Sequence, residues 1–430
     1  MALCVSRVET VLSLQQLLPI DGRDRCPDCP VADVANGGSL ALVSFSSGGG
    51  FQSKRVRSFG DMQVVPDVDD LGSWLSGSSD EEGSISEGRV PSPPSSEGGG
   101  TSLLDTVLLA EWEDRAEQGL FRYDVTACPT KVVPGAYGFV AQFNEGRGSK
   151  KRPTEFCVDR VVQPFDTSKF NFTKALQKEV LFQFEAANMP SKGSAFLPLA
   201  PVSGSPNLVF INVSPIEYGH VLLVPRALDR LNQLVCPETL KLALQFAHEA
   251  ANPYFRLAFN SLGAYGTVNH LHFQAYYMAA PFAVERAPTV DLCCLRKYRG
   301  VRVSMLTDYP VCGLVFEASD SIDDLASVVG EACQRLSAAN IPHNLFVVDC
   351  GQRIFLFPNA FARAKAKGLV PNDLLDSQVD PAAFEISGHI IFKRSQDYEH
   401  VSQEGVWRLL SYASYLEADV LEMARKVLAE

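Results

Sequence analysis

Residues 270 to 276 read His270-Leu-His272-Phe-Gln274-Ala-Tyr276, an alternation of polar and apolar side chains. In a strand, successive side chains point to opposite faces, so His270, His272 and Gln274 share one face. Leu271, Phe273 and Ala275 then turn toward a core. Three imidazole or amide groups on one face are costly to bury without a use. Metal ligation is one use, but two histidines need a third ligand and an orienting shell. Nucleophilic catalysis at phosphorus is the other: a neutral imidazole attacks, and its neighbours bind the phosphoryl oxygens.

Such residues need a rigid support. NLVFINV and YGHVLLVP read as strands, PETLKLALQFAHEAAN as an amphipathic helix, and YFRLAFNSLGAYG and HLHFQAYYM as further strands. A similar order recurs downstream. DSIDDLASVVGEACQRLSAAN predicts a helix, and HNLFVVDCGQRIFLFPN predicts a hairpin turning at Cys350-Gly351-Gln352. EISGHIIFKR predicts another strand. The expected fold class is α+β, with two related halves of antiparallel sheet and flanking helices over residues 103–310 and 311–430. The folded part begins at LLDTVLLAEWEDRAEQGL, whose apolar residues fall at helical spacing. Residues 1–102 form a leader rich in Gly, Ser and Pro, a composition expected to stay disordered.

The chain has 430 residues, with 38 Lys+Arg against 50 Asp+Glu, a formal net charge of −12. Eight of the acids lie between Asp61 and Gly88, where there is no Lys or Arg. Without them the balance is 38 bases against 42 acids, or −4. That balance argues against a nucleic-acid polymer as partner, since phosphate backbones are held by excess Lys and Arg. A single nucleotide needs only a few well-placed donors. Ser78 and Ser79 each precede an acid by three residues, and the acidic leader offers a surface for a regulatory protein partner. Eleven cysteines, an odd number, fit reduced thiols of the cytoplasm or nucleus. The pair Cys26 and Cys29 lacks the second ligand pair that zinc needs, and Cys293-Cys294 reads as two plain thiols. The N-terminus lacks the apolar core of a secretory signal, and no run approaches a membrane span.

The heptad at 270–276 resembles the signature of the histidine triad superfamily, His-φ-His-φ-His-φ-φ, with Gln274 at the third position. Gln there resembles the superfamily's transferase branch, typified by galactose-1-phosphate uridylyltransferase. Asn212-Val-Ser-Pro215-Ile-Glu-Tyr-Gly219-His220-Val-Leu-Leu-Val-Pro225 looks like that family's segment ahead of its histidines. Asn260-Ser-Leu-Gly263-Ala-Tyr-Gly266-Thr267 looks like its preceding loop. Over the longer runs GLFRYDVTACPTKVVPGAYGFVAQFNEGR, KKRPTEF, QPFDTSKFNFTK and NSLGAYGTVNHLHFQAYYMAAPF, residues 103–410 look like the plant GDP-L-galactose phosphorylases. The animal GDP-D-glucose phosphorylases share the outline.

The resemblance implies a histidine-triad-like fold and a double displacement. His272 would take GMP from a GDP-hexose onto its ring nitrogen, and inorganic phosphate would then collect it as GDP. One of its ring nitrogens would donate to a backbone carbonyl, fixing the attacking tautomer. Gln274 would bond a phosphoryl oxygen through its amide without giving up a proton. His270 would sit beside the phosphoryl group or orient the nucleophile, and His220 would face the same phosphates. Asn212 would meet the ribose. Asn260, Gly263, Gly266 and Thr267 would form the loop near the α-phosphate, and Lys151 and Arg152 would supply phosphate-binding cations. Phosphate is the cosubstrate, no further cofactor is implied, and Mg²⁺ is not demanded. A nucleotide hydrolase would carry His where Gln274 stands. A regulatory protein on an inactive fold would not need His270, His272 and Gln274 intact. His389 in EISGH lacks a second His two residues away, so the second half is expected to have lost the chemistry.

Overall fold

The computed structural model of the chain describes residues 3–6, 102–150, 155–186, 204–295, 300–318 and 321–428. The remainder of the leader, with Cys26, Cys29, Ser78 and Ser79, lies outside them, as do Lys151 and Arg152.

The main sheet has eleven strands. They are β1 (Leu3–Ser6), β4 (Val180–Ala186), β5 (Asn207–Ile211), β6 (Val221–Val224), β7 (Phe255–Asn260), β8 (Phe273–Tyr277), β9 (Thr289–Leu295), β10 (Val301–Leu306), β11 (Leu314–Glu317), β12 (His343–Val348) and β13 (Arg353–Pro358). Their spatial order is β1-β4-β5-β6-β8-β7-β12-β13-β11-β10-β9, antiparallel throughout. A second sheet joins β2 (Thr130–Val132), β3 (Val140–Phe143) and β14 (His389–Phe392), with β14 parallel to β3.

Helix α1 spans Leu103–Glu117, α2 Glu145–Lys150, α3 Pro237–Ala250 and α4 Ile322–Ala338. Each of the long ones starts where the sequence provides a terminus. Ser102 accepts from the Asp105 N–H at α1, Pro237 opens α3, and Ser321 accepts from the Asp324 N–H at α4. The short helices α5 (Phe361–Ala366), α6 (Asn372–Asp376) and α7 (Ala383–Ser387) follow, then α8 (Ser395–Glu399), α9 (Gln403–Ser411) and α10 (Glu417–Val427).

The two related halves are visible in the connectivity. The first half runs β4, β5, β6, α3, β7, β8, with strands ordered β4-β5-β6-β8-β7. The second runs β9, β10, β11, α4, β12, β13, with strands ordered β9-β10-β11-β13-β12. The orders match element for element, and the halves meet edge to edge where β7 pairs with β12. In this repeat β9 and β10, which precede residue 310, group with the second half.

Both faces of the sheet are covered, so its central strands are buried along their whole length. All six residues of β7 and of β12 are buried. On one face, Leu257, Phe259, Phe273, Leu345 and Leu356 pack in one cluster with Leu240 and Leu244 of α3 and Leu325 and Val329 of α4. On the other, Tyr276, Phe346, Phe355 and Phe357 meet Phe384 of α7 and Ile390 of β14. Segment EISGH departs from the strand expectation. Its first three residues finish α7, and the strand begins only at His389. A helix of five residues is too short to leave a periodic signal.

Candidate active site

Strand β8 proper starts at Phe273, so His270 and His272 lie just ahead of it, in a segment held by a side chain rather than by a neighbouring strand. The His272 N–H donates to Gln233 Oε1 (2.9 Å), and Gln233 Nε2 donates to the His272 carbonyl (3.1 Å). One amide thus satisfies both backbone groups, as a strand would, while Nε2 also donates to the Asn260 carbonyl (3.0 Å). Gln233 escapes a reading of the sequence because it lies in a loop 39 residues away.

The His272 ring has one defined tautomer. Its Nδ1 lies 2.9 Å from the His270 carbonyl, which can only accept, so Nδ1 carries the proton. Nε2 then holds the lone pair. Burial pulls its pKa down to about 4, against which the bond to the His270 backbone works weakly. The ring is therefore neutral at pH 7. His270 contributes that carbonyl, while its own ring lies behind the site, outside the cavity lining. There its Nδ1 accepts from the Phe172 N–H (3.1 Å) and it packs on Phe165 and Phe172. Burial, then the neighbouring His272, lower its pKa to about 3.

His272 and Gln274 line a cavity of about 130 Å³ on the sheet face opposite α3 and α4. His220, at the start of β6, is fully buried beneath it. Its Nδ1 accepts from the Ile216 N–H (2.9 Å), so Nε2 carries hydrogen and donates to Gln274 Oε1 (3.2 Å). With its oxygen engaged, Gln274 keeps its NH₂ for the cavity. Burial, then the charge of Arg147, hold the His220 pKa well below its ordinary value, which preserves the neutral tautomer. His220 thus supports Gln274 from below instead of lining the cavity itself.

Asn212, Asn260 and Thr267 line the cavity. Asn212 Oδ1 accepts from the Ser214 N–H (3.1 Å) and its Nδ2 lies 3.2 Å from His220 Nε2. Asn260 Oδ1 accepts from Asn344 Nδ2 (2.7 Å) and the Ala383 N–H (2.9 Å), and Asn344 Oδ1 in turn accepts from Asn359 Nδ2 (2.8 Å). This asparagine chain ties the first half's loop to β12 and α7 of the second. Gly263 and Gly266 border a neighbouring cavity instead. Gly263 has φ +80°, and a Cβ there would fall 2.9 Å from the Val158 carbonyl. One on Gly266 would fall 2.6 Å from the Asn260 carbonyl. Both glycines let the loop fold tightly onto itself and its neighbours.

Four charged residues lining the cavity were not singled out as site residues from the sequence: Arg122, Arg147, Glu179 and Glu385. Arg147 follows β3 and is anchored by its Nη1 donating to the Ser214 carbonyl (2.8 Å). Glu385 sits on α7, so the second half lends residues to the rim of the site. His389 is buried beside it in sequence, its Nδ1 2.9 Å from the Tyr276 hydroxyl, and does not line the cavity. On β8 the cavity face carries Gln274 and Tyr276. On β13 the same face carries Phe355 and Phe357, packed in the core, which leaves no room for a second site. Among the described residues no group of three or more His, Cys, Asp or Glu side chains is placed to hold a metal ion, and no helix is long and apolar enough to cross a membrane.

Comparison with known proteins gives three findings. Residues 103–276 match the family model described as GDPGP1-like, N-terminal domain, and residues 283–430 match GDPGP1-like, C-terminal domain. GDP-L-galactose phosphorylase 1 of Arabidopsis thaliana is 54% identical over 318 residues, covering 74% of this chain and 71% of that protein. GDP-D-glucose phosphorylase 1 of Homo sapiens is 34% identical over 325 residues, covering 72% of this chain and 79% of that protein. Among solved structures, yeast Ap4A phosphorylase Apa2 in complex with AMP aligns at a TM-score of 0.47 with 12% identity, over 73% of this chain and 96% of that one.

Proposed function

The chain belongs to the GDPGP1-like family, and from that premise we propose that it is a GDP-L-galactose phosphorylase. The observation that carries the reading is the neutral His272 Nε2, open to a cavity and flanked by the free amide hydrogens of Gln274. In the first step Nε2 bonds to the α-phosphorus of GDP-L-galactose. The bond from that phosphorus to the bridging oxygen breaks, and L-galactose 1-phosphate leaves. Its phosphate has a second pKa of about 6, so it departs with little help from an acid. The Nδ1 proton stays in place, and the cationic ring of the guanylyl-histidine is stabilised by the His270 carbonyl.

In the second step an oxygen of inorganic phosphate bonds to the same phosphorus, the bond to Nε2 breaks, and GDP leaves. In-line transfer depends on positioning and on donors aimed at the phosphoryl oxygens, a role that suits the Gln274 amide and the Arg147 guanidinium. Gln274 carries no transferable proton, which favours handing the intermediate to phosphate over water. Asn212 is suited to the ribose hydroxyls, and Asn260 and Thr267 to the α-phosphate. Lys151 and Arg152 remain further candidates for phosphate contact. No metal is required by these steps. The greater identity to the plant enzyme than to the human one supports L-galactose over D-glucose as the hexose.

The test is phosphate-dependent turnover of a panel of GDP- and UDP-hexoses, with products identified. GDP-L-galactose should give GDP and L-galactose 1-phosphate, and labelled GMP should remain on wild-type protein in the absence of phosphate. His272→Asn should lose both. A His272→Asn protein that phosphorolyses at the wild-type rate would sink the mechanism.

A further inference from the structure

The cavity has two ends of different chemistry. Along its floor Gln274 pairs with Leu222, Leu222 with Phe210, and Phe210 with Val180 at the start of β4. The surface therefore runs from the nucleophile across two strands of apolar side chains to the β4 rim. Phe172 covers this stretch and packs on Phe210 with ring centroids 5.5 Å apart. A purine laid against the apolar surface that Leu222, Phe210 and Phe172 form together would be stacked on it, with its hydrogen-bonding edge turned outward.

At that outer rim the lining becomes charged. Glu179, immediately before β4, is half-buried and lines the cavity. Arg122 lines it too, its backbone held beside the end of β5 by the main-chain N–H donating to the Val213 carbonyl (2.9 Å). Guanine presents the donors N1–H and N2–H₂ side by side, with the acceptor O6 next to them. A carboxylate has two acceptor oxygens for the first pair, and a guanidinium has donors for the third position. Adenine would turn a lone pair toward the carboxylate, and hypoxanthine lacks the amine.

We propose that Glu179, with Arg122 beside it, reads the guanine of the nucleotide substrate. The inference rests on the GDP-hexose reading and names the base contact within it. It makes Glu179 a specificity-determining residue that touches no reacting atom. Carboxylates also bind ribose hydroxyls, and that role would treat all purine nucleotides alike.

The experiment is calorimetric titration of GDP and IDP into the full chain and into Glu179→Gln, with phosphorolysis of GDP-L-galactose measured in parallel. IDP differs from GDP only by the missing N2 amine. Wild type should bind GDP at least about tenfold more tightly than IDP, as loss of a hydrogen bond to a charged group implies. Glu179→Gln should bring that ratio within about threefold of one, chiefly by weakening GDP. A wild-type ratio near one, or a variant that weakens GDP and IDP equally, overturns the proposal. Should Glu179→Gln fail to fold, Glu179→Asp is read in its place, and an unchanged ratio there has the same force. Absence of phosphorolysis in wild type would defeat the enzymatic reading while leaving the binding ratio to judge this one.

Discussion

Acidification should unfold this protein before it silences its nucleophile. Five histidines are in the interior: His220, His270, His272, His343 and His389, none more than 6% exposed. Burial depresses all five, to about 3 for His270 and His389, to about 4 for His272 and His343, and well below the ordinary value for His220. In the unfolded chain each titrates near 6.5. Between roughly pH 6.5 and 4 the unfolded state thus binds protons that the folded state refuses, and stability falls as pH falls. Lowering the pH from 7 to 5 costs about 2 kcal/mol per histidine, or at most about 10 kcal/mol for five. Glu217 works the other way. Burial raises it to about 7, so between pH 7 and 4.5 the folded state is the one that takes up a proton, which offsets about 2 kcal/mol. Asp105, also raised by burial, adds in the same direction. The net loss of several kcal/mol is a large part of an ordinary folding stability of about 5–15 kcal/mol. Urea unfolding at pH 7.5, 6.5 and 5.5, followed by tryptophan fluorescence, should show the midpoint dropping steeply with pH. His343→Asn, away from the cavity, should reduce the slope by about one proton. Transfer of GMP onto the protein in the absence of phosphate should persist down to about pH 5 in protein that remains folded, because His272 is still neutral there. A midpoint that does not move between pH 7.5 and 5.5 would refute the reasoning.

Two substitutions test the supports of the site. His220→Phe removes the donor that holds Gln274 Oε1, so the amide is free to turn over. Its kcat should fall about 10²-fold with little change in KM, as on loss of one transition-state donor, and adding Gln274→Ala should cost little more. Asn344→Leu deprives Asn260 Oδ1 and the Ala264 carbonyl of a donor inside the core. It should lower stability by about 2–4 kcal/mol in denaturant titration, and wild-type stability would show that the asparagine chain is incidental.

The legible parts of the molecule were those with a local period. The helices 103–117, 237–250 and 322–338 stand where apolar spacing places them, and the turn between β12 and β13 occupies residues 349–351, at the Cys350-Gly351 step. Period-two alternation correctly sets His272 and Gln274 on one face. It could not show that His270 turns its ring away, because residues 270–272 precede the regular strand. The cations and acids of the site were hidden for a different reason. Arg147 reaches it because β3 pairs in parallel with β14, some 250 residues onward, and Glu385 because α7 closes over the neighbouring half. Neither contact leaves a mark on the flanking sequence. His220, which the family resemblance sets against the phosphates, holds Gln274 instead, because both its ring nitrogens are engaged inside the fold.

The seam between β7 and β12 joins the two copies within one polypeptide. Two copies of one strand order, joined antiparallel edge to edge, make the arrangement that a symmetric pair of separate chains would make, in which both sides must present the same residues. Here a single polypeptide supplies both, so each copy could diverge. Asn260 on one side faces the cavity, while its partner Asn344 on the other is wholly structural. The cavity lining includes Ala382, Phe384 and Glu385 from the second copy. The tether keeps the two copies at a fixed effective concentration, so joining β7 to β12 does not cost the association of two separate chains.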